Sequence, residues 1–220
     1  MGQRLVFDVQ RGGKRIATIY YHWSAYTLST YEEARILCKG LKERGYNKSM
    51  TDNEVKLMLL DILLNNKYYN SIDCSVSCGG PTNDNFKPFV EIGFKVDKEK
   101  MFNINRSQGL IDINEKGMDN SINWGEWVAK FDFDSETFEN SVYDYYEYGS
   151  DVYKDVFEGQ EVNPDELEEF KFPKEFGSCV PFDKAEEAYA WFKKAQYDKG
   201  WVLGKVTEPD GTITIVTQVR

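Results

Sequence analysis

The one histidine of the chain lies among aromatic residues, in the stretch "IYYHWSAY". An imidazole acts as a general acid or base when its partner is within hydrogen-bond reach, and one of the four cysteine thiols would serve as that partner in a hydrolase. The other interpretation is structural: His22 ends a strand and is held by its aromatic neighbours and the backbone. The leading prediction is that the chain has no catalytic residue; in the alternative, His22 is catalytic.

The same residues would also suit a small-molecule ligand. A small hydrolase or a protein that binds a nucleotide-like molecule would use His22, Trp23 and Tyr26 for the planar part of the ligand. An anionic part needs a nearby cation, and Arg35 completes this alternative set. Three further cations are close in sequence, namely Arg4, Lys14 and Arg15.

Residues 131–170, here called the acidic segment, have an unusual composition. They contain 14 Asp and Glu residues, ten Phe and Tyr residues and a single base, Lys154. The segment carries −13 while the whole chain carries −10, so the remaining residues are slightly basic. A disordered acidic tail would be poor in aromatic residues, so we predict that this segment folds.

Two functions would suit the acidic segment. As a contact surface, its charges would imitate the phosphates of nucleic acid and occupy the basic groove of a protein that handles DNA or RNA, with tyrosines as anchors. As a solvated face, it would only keep the protein soluble. The predicted contact residues, here called the tyrosine-rich surface, are Tyr143, Asp144, Tyr145, Tyr146, Glu147, Tyr148, Asp151 and Asp155.

Residues 1–30 carry a motif with a known counterpart. "MGQR" followed by "YYHWSAY" resembles a group of phage and prophage proteins of unassigned function that begin M-G-x-R and carry a Y-x-H-W-x-x-Y element. In that group an acid and a glycine commonly follow the tryptophan and a proline follows the last tyrosine; here Ser24, Ala25 and Thr27 replace them. The resemblance implies a phage setting, where small acidic inhibitors of host machinery are frequent.

The leading hypothesis joins these observations. It describes a non-enzymatic phage or prophage accessory protein that binds and inhibits a host protein, with a role against host defence. Direct nucleic-acid binding is not expected, because such proteins carry a basic patch and this chain has a net charge of −10. The lack of an apolar run of about 20 residues and of a signal peptide predicts no membrane association and a location in the bacterial cytoplasm.

Neither a metal nor a cofactor is predicted. Four thiolates could bind zinc, but the close pair C-S-V-S-C lacks the usual CxxC spacing, which favours buried structural thiols at Cys38, Cys74, Cys78 and Cys179. "DINEKGMDNSIN" is similar to a calcium loop, yet Asn123 stands where a bidentate Glu is needed. We therefore predict a polar loop over residues 112–123.

Periodicity and turn signals predict the fold. Gly12 and Gly13 predict a hairpin, and the pairs Ser29–Glu32 and Thr51–Glu54 have the spacing of helix-starting capping boxes. A third helix is predicted near residues 183–199, strands within 87–97 and 122–134, and a last hairpin across 208–211. Together these predict a single α+β domain over residues 1–220, a mainly antiparallel sheet with about three helices packed on it.

Overall fold

The protein has an α+β fold, as predicted. A computed structural model describes residues 4–22, 24–25, 27–65, 83–95, 109–139, 145–147, 163–166, 169, 179–199, 202–207, 211 and 213–217. These residues form a six-stranded sheet, a three-stranded sheet and five α-helices. The predicted number of about three helices was therefore too low, and one strand pair proves to be parallel.

The first two strands form the predicted hairpin. β1 (Leu5–Arg11) and β2 (Lys14–Tyr21) are antiparallel, and Gly12 and Gly13 between them have φ values of 60° and 68°. Glycine adopts this left-handed region without steric cost. The Asp134 carboxylate accepts hydrogen bonds from the N–H groups of both glycines, at 2.9 and 3.1 Å. The turn is thus held by a residue far along the chain.

Two helices follow the hairpin, and one of the two predicted capping boxes is confirmed. In α2 (Asp52–Leu64), the Thr51 hydroxyl accepts a hydrogen bond from the N–H of Glu54, whose carboxylate accepts one from the N–H of Thr51. The other box is wrong, because α1 (Thr27–Glu43) begins two residues before Ser29. A serine inside a helix cannot cap its start.

The predicted strand at residues 87–97 is also wrong. Residues Asn83–Glu91 form a helix, α3, despite Pro88 inside it. Phe89 of this helix is buried against Leu60 of α2, and Ile92 and Phe94 pack against the same cluster. A short apolar run fits either a strand or a helix, and here the contact with α2 favours the helix.

The predicted polar loop is a helix that carries the chain across the sheet. After β3 (Gly109–Asp112), α4 (Glu115–Trp124) contacts β1, β2 and β3 before the chain enters β4 (Trp127–Asp132). β4 pairs with β1 in parallel, unlike the mainly antiparallel arrangement predicted. The helical crossover brings the chain back to the end of the sheet at which β1 and β3 begin. The next strand, β4, can therefore run in the same direction as β1.

The remaining elements complete both sheets. They are β5 (Thr137–Glu139), β6 (Tyr145–Glu147), β7 (Cys179–Pro181), α5 (Ala185–Lys199), β8 (Val202–Thr207) and β9 (Ile213–Thr217). The strand order is β3-β2-β1-β4-β5-β7 in the larger sheet and β6-β9-β8 in the smaller one. The predicted helix near residue 183 and the last hairpin are confirmed.

The six-stranded sheet has an apolar inner face and an outer face that carries both polar and apolar residues. Side chains from β1, β2, β4 and β5 form one buried cluster with α1, α2 and α5, and Phe7, Phe131 and Phe138 are fully buried in it. The outer face carries Asp8 and Lys130, and α4 covers part of it. None of the helices in the described residues is long and apolar enough to cross a bilayer.

Candidate functional site

His22 lies at the end of β2 and is half-buried. Its Nδ1 atom is 2.8 Å from the hydroxyl oxygen of Tyr20. Residues two apart on a strand share a face, and Tyr20 pairs with Val6 on the outer face, whereas Tyr21 points into the core against Phe7. Trp23 and Tyr26, the aromatic members of the predicted ligand set, are outside the described residues.

Arg35 belongs to the helical layer on the inner face. Its guanidinium carbon is 4.1 Å from the ring centroid of Tyr189 in α5, and its Nη atoms lie 3.3 Å from Glu186 and 3.5 Å from Glu32. Burial opposes the charge, but Glu186, Tyr189 and Glu32 outweigh that cost and raise the pKa of Arg35. His22 contacts Tyr20 on the outer face of the sheet, whereas Arg35 lies in the helical layer on the inner face. The structure therefore does not bring these two predicted residues together.

Arg4 lies at the same end of the hairpin as His22. Arg4 precedes Leu5, His22 follows Tyr21, and Leu5 pairs with Tyr21, so both side chains are at the same end of the hairpin. A register shift between Val9 and Gln10 sets this pairing. A bulge that adds one residue changes which side chains share a face. Uninterrupted pairing from the glycine turn would instead place Arg4 opposite Tyr21. A register counted from the turn at Gly12 and Gly13 therefore gives Arg4 the wrong partner.

Glu126 holds Arg4 in position. The Arg4 Nη2 atom donates to Glu126 Oε1 at 3.0 Å, and the Arg4 backbone N–H donates to Oε2 at 3.0 Å. The two side chains are 34% and 30% exposed, and Arg4 O accepts hydrogen bonds from the N–H groups of Glu126 and Trp127. His22, Arg4 and Glu126 therefore lie along the ends of three neighbouring strands, β2, β1 and β4.

Trp124, the last residue of α4, stands at the same end. It is 63% exposed, and the next residue, Gly125, is so close to the outer face that a Cβ there would lie 3.0 Å from Val6 and 3.1 Å from Val128. Val6 pairs with Tyr20, which contacts His22. We call this group the His22 end of the sheet; its members are Arg4, Tyr20, His22, Trp124 and Glu126.

The first aromatic residues of the acidic segment serve the core. Phe131, Phe133 and Phe138 are 0%, 2% and 0% exposed, and their rings stack on or meet one another edge to face. Phe131 also stacks on Phe182, with centroids 4.4 Å apart. The alternation over residues 127–133 predicted this apolar face, and the structure confirms it. These aromatic residues are thus explained by packing.

The first acids of the segment have structural partners. Asp132 lies 2.8 Å from Lys130 Nζ, and Glu136 lies 3.7 Å from Lys48 Nζ. Burial alone would raise the pKa of Asp132, but hydrogen bonds from Lys130, the Asp134 backbone and Ser135 lower it. Glu139 Oε2 accepts a hydrogen bond of 2.8 Å from the N–H of Lys130. Charge in residues 131–139 therefore stabilises the fold.

The rest of the segment is attached to the smaller sheet at two places. Tyr145–Glu147 form β6, which pairs antiparallel with β9. Glu169 accepts hydrogen bonds from the Thr207 N–H at 2.7 Å and from the Thr207 hydroxyl at 3.1 Å, beside β8. Five of the predicted contact residues are outside the described residues, namely Tyr143, Asp144, Tyr148, Asp151 and Asp155.

The two cysteines within the described ranges differ in burial. Cys38 is buried, and burial raises the pKa of its thiol well above the ordinary value, so the nucleophilic thiolate is disfavoured. Cys179 is exposed on β7, contrary to the prediction of a buried thiol; Cys74 and Cys78 are not among the described residues. Within the described ranges, no three His, Cys, Asp or Glu side chains are placed to hold a metal ion.

Comparisons with protein-family models, with curated proteins and with solved structures found no match to this chain. The resemblance of residues 1–30 to phage proteins stays a prediction. Function is therefore inferred from the two features described above, the acidic segment and the His22 end of the sheet.

Proposed function

We propose that this chain is a phage or prophage accessory protein that binds and inhibits a host factor through the tyrosine-rich surface. The observation that carries the proposal is the division of the acidic segment into two parts. Acids in residues 131–139 are engaged by Lys130, Lys48 and the glycine turn. The part from residue 143 onward contains the densest tyrosines and joins the smaller sheet through β6.

The charge of the second part supports a basic partner. Residues 140–170 contain ten acids and one base, Lys154, and Glu169 is the one of these acids that Thr207 engages in the described residues. A field of one sign raises the rate of encounter with an oppositely charged surface by roughly 10-fold to 10³-fold. A groove that normally holds nucleic-acid phosphates has the required charge, so a host protein that handles DNA or RNA fits this surface.

The strand β6 supports lasting affinity in addition to fast encounter. Tyrosine gives a large, amphipathic contact area, and tyrosines are enriched among the residues that dominate binding energy. Because the backbone of Tyr145–Glu147 is already ordered by pairing with β9, binding does not have to order it. In the order β6-β9-β8, β6 is at the edge of the smaller sheet as described. The nucleic-acid-like charge and the tyrosine anchors are therefore side by side in sequence.

A capture experiment from bacterial lysate tests the proposal with three baits. The first is the wild-type chain, and the second carries Asp144→Asn, Glu147→Gln, Asp151→Asn and Asp155→Asn. The third is a matched control with the same loss of charge at four exposed acids on the helices, Glu43, Glu91, Glu115 and Glu187, each changed to Gln. A partner bound by wild type and control, absent from the second bait, and released by added duplex DNA is the expected result.

Two outcomes contradict the proposal. Equal loss of the partner from both charge variants would mean that net charge, not the tyrosine-rich surface, retains it. A double variant, Tyr143→Ala with Tyr148→Ala, leaves the strand β6 unchanged and should weaken binding more than neutralising any one of the acids. Normal binding by this double variant would remove the tyrosines from the contact surface.

A further inference from the structure

We propose that the His22 end of the sheet binds a nucleotide-like small molecule, a planar base joined to a phosphorylated sugar. This site is separate from the tyrosine-rich surface and does not depend on the function proposed for it. The evidence is a set of four different groups gathered at one end of the sheet. They are a cation, an imidazole, a carboxylate and an exposed indole, contributed by Arg4, His22, Glu126 and Trp124.

Arg4 provides the donor for a phosphate. A guanidinium has five N–H donors in a planar fork that matches phosphate oxygens. Within the described residues, the Arg4 side chain donates to Glu126 alone and stays 34% exposed. Glu126 thus orients the fork and leaves donors over for a ligand.

His22 is oriented in the same way. The Tyr20 hydroxyl engages Nδ1 at 2.8 Å, which sets the direction of the ring. Arg4 and His22 flank the paired residues Leu5 and Tyr21 on adjacent strand ends, and the proposal places the phosphate group at Arg4 on this end of the sheet.

Trp124 provides the surface for a base. Among large apolar side chains in the described parts of the chain, Trp124 and Val90 alone are exposed, at 63% and 46%. An indole stacks on any nucleobase because every base has a π-face. The Glu126 carboxylate beside Arg4 weakens the attraction for a bare anion, yet its oxygens accept hydrogen bonds from sugar hydroxyls. The combination therefore fits a nucleotide better than free phosphate.

The other cations near His22 in sequence do not reach this group. Lys14 and Arg15 begin β2, at the opposite end of the hairpin, where Lys14 pairs with Asp52 and Arg15 with Asp8. Arg35 is paired within the contact between α1 and α5. Among these candidates, Arg4 is the one at the same end of the hairpin as His22.

Titration calorimetry of the full chain with adenosine monophosphate tests the site, with adenosine and ribose 5-phosphate as half-ligands. Wild type is expected to bind the nucleotide with a sub-millimolar Kd and each half-ligand at least about tenfold more weakly. Trp124→Leu and Arg4→Gln should each weaken nucleotide binding at least about tenfold. The matched control is Arg44→Gln, since Arg44 is likewise partly exposed and paired with one carboxylate, Asp61, at 2.7 Å.

Four results would overturn the inference. The first three are no binding of adenosine or guanosine monophosphate at millimolar concentration, binding of adenosine as tight as that of the nucleotide, and a loss of nucleotide affinity in Arg44→Gln equal to that in Arg4→Gln. Arg4 also joins β1 to β4, so Arg4→Gln could weaken the fold itself. Trp124 is exposed, and Trp124→Leu should leave the unfolding transition unchanged; unchanged nucleotide affinity in this variant would by itself refute the site.

Discussion

The guanidinium of Arg35 lies 4.1 Å from the ring centroid of Tyr189, so a cation–π contact joins α1 to α5 across the helical layer. Glu186 and Glu32 pair with the same guanidinium, whose side chain is only 13% exposed. A charged group this enclosed is stable only while its partners are in place. Arg35 therefore has a structural role, although its position in the sequence had suggested ligand binding.

Replacing Arg35 by Met should reduce the free energy of unfolding by about 1–2 kcal/mol, since it removes the cation–π contact and two ion pairs but keeps much of the side-chain volume. Urea unfolding measures the loss. The control Lys42→Met, at an exposed position of the same helix, should change stability by less than about 0.5 kcal/mol. Nucleotide binding should be unaffected by Arg35→Met, and a loss of binding would return Arg35 to the ligand site.

The contact between α1 and α2 depends on a glycine. A Cβ at Gly40 would lie 2.7, 2.8 and 3.0 Å from three side-chain atoms of Ile62. Gly40→Ala should therefore destabilise the fold by about 1–2 kcal/mol, because overpacking outweighs the gain in helix propensity. Chemical unfolding of a double-mutant cycle checks the cause: in an Ile62→Ala background, Gly40→Ala should become neutral or stabilising. An equal penalty in both backgrounds would rule out the clash with Ile62.

The start of α2 should give the stability a dependence on pH. Hydrogen bonds from the Thr51 backbone N–H and hydroxyl lower the pKa of Glu54 below its ordinary value of 4.5. A carboxylate with a lowered folded-state pKa stabilises the fold above its unfolded-state pKa, and this contribution disappears as the pH falls through the folded-state pKa.

Glu54→Gln should therefore be less stable than wild type at neutral pH, and the difference should shrink as the pH falls below 4.5. Thermal unfolding of both proteins across this range measures it. A difference that stays constant to strongly acidic pH would show that the charge of Glu54 does not contribute. Thr51→Val, which removes one of the two donors, should reduce the dependence on pH.

Two elements with local signals were predicted correctly, unlike the capping box of Ser29 and Glu32. The turn at Gly12 and Gly13 and the capping box of Thr51 and Glu54 involve residues no more than three positions apart, so nearby sequence specifies them. The helix α4 has no such signal, because Ser121 is its one buried residue. It is held instead by Asp112, which accepts a hydrogen bond of 3.0 Å from Ser121 and lies against Gly117.

From the sequence alone one obtains the α+β class, most helices and hairpins, and the acidity of residues 131–170. The tertiary structure adds which charges of that segment are already paired in the fold, and which arginine shares an end of the hairpin with His22. Arg4 is at the same end of the hairpin as His22 because the pairing of β1 with β2 shifts by one residue, with Ile16 of β2 as the extra residue, and the parallel pairing of β1 with β4 brings Glu126 to Arg4. Periodicity cannot reveal either feature, since register and strand direction depend on contacts between residues far apart in the chain.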